Sequence, residues 1–338
     1  WRQTTRRSFV SGQSETPARP LRTGVIMDPI SGINIRKDST FAMMLEPQRR
    51  GHELLYMEPS DLWVDGSEAR ASWRPVTVED NPERWYELGE REERPLADLD
   101  VLLMRRDPPF DMDYIYLTYA LELAEIAGTL VVNRPQSLRD ANEKFYITQF
   151  PQCCTPFAIA RQAKRLMAFA EQHGKCVVKP LDGMGGESIF QLNPGDPNVK
   201  VILEAITKND TELVMVQSYI PEITEGDKRI LVIDGEPVPY ALARLPGKGD
   251  FRGNLAKGGR GEGVALSGRD RWICDQVAPV LRSKGILFAG LDVIGDWLTE
   301  INVTSPTGVR ELDAAYDLNI AGRLFDAIDR RLAEDENA

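Results

Sequence analysis

Histidine is the scarcest chemistry-bearing residue in these 338 residues, with only His52 and His173 present. A multi-histidine metal centre therefore cannot be built within one chain, and a Ser-His-Asp arrangement has few candidates. Each histidine sits beside a glycine at an expected helix end, where a surface or helix-terminal role is the simpler reading. Any metal should be a hard ion held by oxygen. The four cysteines, Cys153, Cys154, Cys176 and Cys274, form no CxxC pair, which fits a reducing cytosol and argues against a redox role for the vicinal pair. No apolar run is long enough to span a bilayer, and no secretory apolar segment is evident, so no membrane partner is expected. A basic excess is lacking as well: 52 acidic residues outnumber 41 basic ones, for a net charge of -11, which disfavours nucleic acid but leaves room for a local anion site.

What is present is ordinary for a globular protein, 42% hydrophobic and 28% charged, and the length predicts two domains, at most three. Residues 1–22 carry five arginines against one glutamate and read as a disordered extension. From Thr23 the strand GVIMDP, a loop and the helix-like TFAMMLEPQRRG open an α/β unit over 23–135, with Pro47 expected to kink that helix. ELLYME, DVLLMR and TLVV read as strands and YIYLTYALELAEIAG as a helix. The charged stretch with Pro75, Pro82 and Pro95 reads as irregular edge structure. Beyond Pro135, SLRDANEKFYITQF and AKRLMAFAEQHG are expected helices, and CVVKP, SIFQL, LVMVQSYI, RILVIDGEPVPYALARL, LFAGLDVI and WLTEINV supply strands. The helix DRWICDQVAPVLRSKG places Ile273, Val277, Val280 and Leu281 on one face and stops at Gly285, and a last helix over 314–334 buries Ile320, Leu324 and Ile328. This second part is α+β.

Four segments carry chemistry. In KPLDGMGGESI, Lys179 precedes Gly183, Gly185 and Gly186, so the loop is neither a Walker A loop nor a dinucleotide fingerprint. By itself it suits a phosphate-covering hairpin and a plain tight hairpin equally. In GLDVIGDWLTEINVTSP, Glu300 and Asn302 share one strand face and suit Mg2+. Asp292 joins that face if three residues connect the strands, whereas a two-residue turn pairs it with Thr299. In GDKRILVIDGEPV, Arg229 can neutralise a transferring group, with Arg244 on the next strand, although charges at a strand mouth are often merely solvated. The glycine-rich stretch 245–263, with Arg252, Lys257 and Arg260, reads as a mobile lid that excludes water.

These segments, with MDPISGINIRKDSTFAMMLEPQRRGHEL, LMRRDPPFD and NRPQSLRDANEK, cover essentially all of 23–332 and resemble the ATP-grasp carboxylate-amine ligases, within them the bacterial glutathione synthetases. The resemblance implies an N-terminal α/β substrate domain with a parallel sheet over 23–135, followed by an α+β ATP-grasp fold of two lobes. The central lobe would span 136–216 and the C-terminal lobe, with the Mg2+ site and the mobile loop 245–260, would span 217–338, with ATP sandwiched between the two lobes. It implies nucleotide contacts from Lys144, Lys179, Gly183, Met184, Gly185, Gly186, the linker Gln217, Ser218, Tyr219 and Ile220, and Asp227. Mg2+, or Mn2+ in its place, would be held by Asp292, Glu300 and Asn302. Arg229 and Arg244 are the implied catalytic cations. Asp28, Asn34, Arg252, Ser305, Pro306, Thr307 and Gly308 would serve the peptide site or its closure. The implied reaction joins γ-glutamylcysteine to glycine through an acyl phosphate, in a cytoplasmic homo-oligomer, tetramer or dimer. Another carboxylate-amine ligase would keep the nucleotide machinery and differ in the N-terminal domain and around 244–260 and 305–310.

Overall fold

The computed structural model describes residues 19–183, 188–245 and 260–336. The N-terminal domain runs β1 (Arg22–Ile26), α1 (Ser39–Arg49), β2 (Glu53–Met57), β3 (Leu62–Asp65), β4 (Glu68–Val78), β5 (Tyr86–Leu88), β6 (Glu92–Pro95), β7 (Val101–Met104), α2 (Met112–Ile126), β8 (Leu130–Val132) and α3 (Pro135–Asp140). Strands β2, β1, β7 and β8 are parallel, as expected, and β4 adds antiparallel to β2, making the sheet mixed. Alternation along the strands feeds two cores. Ile26, Leu55 and Leu102 pack with Tyr114 and Leu121 of α2, while Val25, Leu54 and Leu103 pack with Phe41 and Met44 of α1.

Several expectations need correction here. Arg19 to Arg22, placed in the extension, belong to the fold: Arg19 bonds Asp100 at 2.9 Å, Leu21 is buried and Arg22 begins β1. The proline-marked stretch is an edge, as expected, but mostly ordered antiparallel sheet, with β3, β5 and β6 pairing only with β4 and Pro82 in the turn between β4 and β5. Pro75 lies inside β4 and contributes its carbonyl to Gly89 N–H (2.7 Å), while Trp73 two residues earlier is fully buried. His52 is not a surface residue; it is 8% exposed and packs edge-on against Phe325, their ring centroids 6.3 Å apart.

The central lobe comprises β9 (Phe157–Ala160), which the sequence pattern did not reveal, α4 (Ala163–His173), β10 (Cys176–Pro180), β11 (Phe190–Leu192), α5 (Asn198–Ile206) and β12 (Val214–Ser218). The four strands form an antiparallel sheet in the order β11-β10-β12-β9. Cys176, Val178, Val214 and Val216 turn one face onto Leu166 and Leu203 of the two helices. The period of two leaves Val177, Lys179 and Gln217 on the opposite face.

The C-terminal lobe contains β13 (Asp227–Ile233), β14 (Glu236–Pro237), β15 (Tyr240–Leu245), β16 (Arg260–Ala265), α6 (Gly268–Ser283), β17 (Phe288–Ile294), β18 (Trp297–Asn302), α7 (Val309–Tyr316) and α8 (Ile320–Glu336). Its sheet, ordered β16-β15-β13-β17-β18, has Ile230 and Val232 against Ile273, Val277 and Leu281 of α6, as the helical spacing predicts. On the other face Leu231 and Ile233 meet Ile320, Leu324 and Ile328 of α8. These are the same two cores that fill the N-terminal domain. The single last helix expected over 314–334 is two, broken at Asp317 with φ of 50°. Among the described residues no helix is long and apolar enough to cross a membrane.

Candidate active site

A cavity of about 350 Å³ opens where the Val177, Lys179 and Gln217 face of the central sheet meets β13, β15, β17 and β18, with Asp107 and Pro108 of the N-terminal domain on a third side. Of the expected residues, Lys179, Gln217, Ser218, Tyr219, Ile220, Asp227, Arg229, Arg244, Asp292, Glu300, Asn302, Ser305, Pro306 and Thr307 all line it. Strand register explains much of this convergence. Arg229 pairs with Asp292 across β13 and β17, and Asp227 with Arg244 across β13 and β15.

The connection between β17 and β18 combines the two alternatives left open above. The turn is two residues, Gly295 and Asp296, with Ile294 opposite Trp297, yet Asp292 still faces Glu300. A bulge next to Val293 absorbs the extra residue, Thr299, whose hydroxyl donates to Asp292 O at 3.0 Å. The freed Thr299 carbonyl accepts from Lys179 Nζ at 3.3 Å, tying the central lobe to the C-terminal lobe at the centre of the site.

Asp292 accepts a forked pair from Arg229, Nε at 2.5 Å and Nη2 at 2.9 Å, and Arg244 Nη2 approaches at 2.8 Å. Burial opposes charge on Asp292, but the two guanidiniums outweigh it and hold its carboxyl well below the usual carboxylate range. Arg244 also bonds Asp227 through Nε at 2.9 Å. Burial pushes the Asp227 carboxyl upward against that arginine, which Asp292 shares. The Arg229 side chain lies across Gly290, where a Cβ would come within 2.7 Å of its Cδ, so only glycine leaves room.

Lys144 is presented by a turn, not by the continuous helix expected over SLRDANEKFYITQF. Helix α3 ends at Asp140, and the Asn142 carboxamide oxygen then accepts from Lys144 N (3.2 Å) and Phe145 N (2.9 Å), a local bond that competes with helix. Lys144 is buried behind the cavity wall, bonded to Glu143 and to the Gly183 carbonyl. Its Nζ and that of Lys179 converge on Glu300, at 3.9 and 3.8 Å. Burial lowers Lys179, with Glu300 opposing; at Lys144 burial also acts downward, but Glu300 and Glu143 together outweigh it and raise its pKa.

Other expected residues sit elsewhere. Asp28 is exposed and accepts from Asp107 N at 2.9 Å, one bond removed from the cavity wall, while Asn34 is exposed and caps its own turn through Arg36 N. Gly308 precedes α7 with φ of 113° and supports the wall from behind. Met184, Gly185, Gly186, Arg252 and nearly all of the 245–260 loop lie outside the described residues. Residues that sequence reasoning missed are Glu143, Asp107, Pro108, Thr299 and Thr304, all on the cavity. Glu143 adjoins Lys144 and Asp107 lies in RRDPPFD, but no periodicity marks either as facing a site. Burial, with Glu300 nearby, pushes Glu143 up to about 7.

The donor set fits a hard cation in part. Glu300 has no hydrogen-bond donor among the described residues, and Asn302 uses its N–H on Gly290 O (3.4 Å), leaving its amide oxygen as the acceptor. Asp292 already takes three N–H contacts. No group of three or more His, Cys, Asp or Glu converges among the described residues, so a cation here needs further ligands, as Mg2+ does when it shares phosphate oxygens and water.

Residues 21–139 match the family described as prokaryotic glutathione synthetase, N-terminal domain, and residues 143–317 the prokaryotic glutathione synthetase, ATP-grasp domain. A glutathione synthetase of Pseudomonas putida is 59% identical over 312 residues, covering 92% of this chain and 98% of that protein. The glutathione synthetase of Salmonella typhimurium is 56% identical over 314 residues, covering 93% and 100%. Among solved structures, the D-cycloserine synthetase DcsG is similar with a TM-score of 0.63 at 14% identity, covering 92% of this chain and 99% of that one. The ATP-grasp ligase PsnB, complexed with a precursor peptide and AMPPNP, gives 0.59 at 17%, covering 92% and 98%. At such identities the structures speak for the fold alone. The two family matches together span nearly all of the described fold, and with these relatives they place the chain in the prokaryotic glutathione synthetase family of ATP-grasp ligases.

Proposed function

We propose that this chain is an ATP-dependent carbon–nitrogen ligase that joins γ-L-glutamyl-L-cysteine to glycine, giving glutathione, ADP and phosphate. The observation that carries the reading is the meeting of Lys179, Arg229 and Arg244 with Glu300 and Asn302 on one cavity, in a chain with close glutathione synthetase relatives.

Positive charge at Lys179, with Lys144 behind it, suits the nucleotide phosphates, and Gln217 to Ile220 at the end of β12 suit the adenine. Glu300 and Asn302, with Asp292 beside them, would hold Mg2+, which when bound neutralises phosphate charge. The cysteinyl carboxylate attacks the γ-phosphoryl group and releases ADP; the glycine amine then attacks the acyl phosphate carbonyl and phosphate leaves. Arg229 stabilises the charge of both steps. Its forked bond to Asp292 fixes the guanidinium beforehand, so little reorganisation is needed as charge develops. Ser305, Pro306 and Thr307 form the acid-substrate wall opposite, with Asp28, Asn34, Gly308 and Arg252 contributing to that side or its closure. No protein nucleophile is required, which agrees with four buried free cysteines and two histidines away from the cavity. The reading includes a cytosolic homo-oligomer.

The test is ATP-dependent phosphate release with γ-glutamylcysteine and with other acids and dipeptides, while the amine acceptor is varied. A requirement for γ-glutamylcysteine and glycine supports the proposal; equal turnover with unrelated acids rejects it in favour of a broader carboxylate-amine ligase.

A further inference from the structure

The loop Val303 to Val309 continues β18 directly from Glu300 and Asn302 and supplies Ser305, Pro306 and Thr307 to the cavity. Its polar bonds run to side chains of the N-terminal domain at nearly every step. Asn133 Nδ2 donates to Val303 O at 2.7 Å, Arg105 Nη1 to Thr304 O at 3.4 Å and Arg105 Nη2 to Pro306 O at 3.2 Å. Ser305 Oγ donates to Asp107 Oδ1 at 2.5 Å, and Val309 N to Ser39 Oγ at 3.2 Å. Arg105 follows β7 and Asn133 follows β8, at the carboxyl ends of adjacent parallel strands, where open α/β sheets present their binding residues.

Arg105 is the unusual member. It is 5% exposed, its Nε is bonded to Thr40 Oγ1 at 3.0 Å, and no carboxylate lies within hydrogen-bonding distance among the described residues. A buried guanidinium without a bonded anion is costly to retain, and its planar fork reaches two carbonyls two residues apart in a way a lysine cannot. We infer that Arg105, with Ser39 assisting, is a positioning residue that sets the Thr304–Thr307 wall for the acid substrate and leaves nucleotide binding untouched. This inference rests on the ligase reading above.

Steady-state kinetics on the full-length protein, varying ATP, γ-glutamylcysteine and glycine in turn, test it. Arg105→Lys keeps the buried charge but loses the fork. The KM for γ-glutamylcysteine should rise about tenfold or more while the KM for ATP stays within about twofold, because a wall displaced by a fraction of an ångström affects only the ligand that leans on it. Ser39→Ala removes one bond to the same loop and should move the same KM about two- to threefold; it decides the matter if Arg105→Lys does not yield folded protein. An unchanged KM for γ-glutamylcysteine, or parallel rises in both KM values, overturns the inference. If the unsubstituted protein shows no requirement for γ-glutamylcysteine, it is the functional reading that fails.

Discussion

The two lobes around the cavity are built differently. The central lobe has its own small core, Leu166, Val178, Leu203 and Val216 among its members, separate from the other two. Among the described residues the C-terminal lobe has none of its own: each face of its sheet continues a core that begins in the N-terminal domain. One wall of the site, with Lys179 and Gln217, stands on a sheet whose far face packs on that separate core, while Met215 on the near face joins a core shared with the rest of the molecule. The other, with Arg229, Asp292, Glu300 and the 303–309 loop, is continuous with the N-terminal domain. The contrast separates the two walls: Lys179 and Gln217 stand on a sheet with a core of its own on one face, and Arg229, Asp292 and Glu300 on a sheet both of whose cores continue into the N-terminal domain.

The strongest test of that contrast compares two fully buried residues. Leu203→Ala and Ile328→Ala should each cost about 2–5 kcal/mol of packing. Hydrogen exchange should show Leu203→Ala loosening α4, β10 and β12 while β13 and α8 keep their protection, whereas Ile328→Ala loosens the N-terminal and C-terminal parts together. Equal loosening everywhere from both variants would mean that the cores are energetically one.

Within the shared body, Arg229→Ala should lower kcat by ~10² through lost transition-state stabilisation. It also leaves Asp292 buried with only Arg244, so a thermal melt belongs beside the kinetics to separate chemistry from folding. A kcat within twofold of the parent would remove Arg229 from the mechanism.

Glu300→Gln removes the charge on which Lys144 and Lys179 converge and the best acceptor for a cation. The Mg2+ concentration for half-maximal activity should rise about tenfold or more, and an unshifted Mg2+ titration would rule Glu300 out as a ligand.

The smallest effect is expected far from the site, at the α7–α8 break. Burial raises Asp313 from 3.8 to about 6, and its carboxylate accepts from Ile320 N at 3.1 Å. Because the folded state binds the proton more tightly than the unfolded state, this contribution is full below pH about 4 and lost as pH rises to about 6. Asp313 is only half-buried, so solvent screening keeps the effect small. Asp313→Asn should flatten the stability slope between pH 4 and 6, and an unaltered slope in urea melts would contradict the assignment.

Much of the fold was legible because burial leaves a period. The spacing of Ile273, Val277 and Leu281, and of Ile320, Leu324 and Ile328, predicts helices whose buried faces the structure contains. Cavity residues were legible where charged or amide side chains interrupt apolar strands: Glu300 beside Asn302, Arg229 at a strand mouth and Lys179 before glycines all line the cavity. Short-range competition was not. Nothing in NEK announces that Asn142 bonds the following amides and ends a helix before Lys144, and an eleven-residue strand through Pro75 runs against local preference until Leu55 and Gly89 are present to pair with it.

The amino-acid sequence by itself determined what chemistry was excluded, since two histidines and no CxxC pair remove multi-histidine metal centres and thioredoxin-like redox chemistry, and its motifs carried the resemblance that pointed to a ligase. Which of those residues meet was decided by tertiary structure. The Thr299 bulge returned Asp292 to Glu300 despite a two-residue turn, and Arg105, given no role by the LMRRDPPFD segment that contains it, came to grip a loop some two hundred residues away. Register and domain contact act between segments far apart in the chain, so their energies leave no local pattern to read.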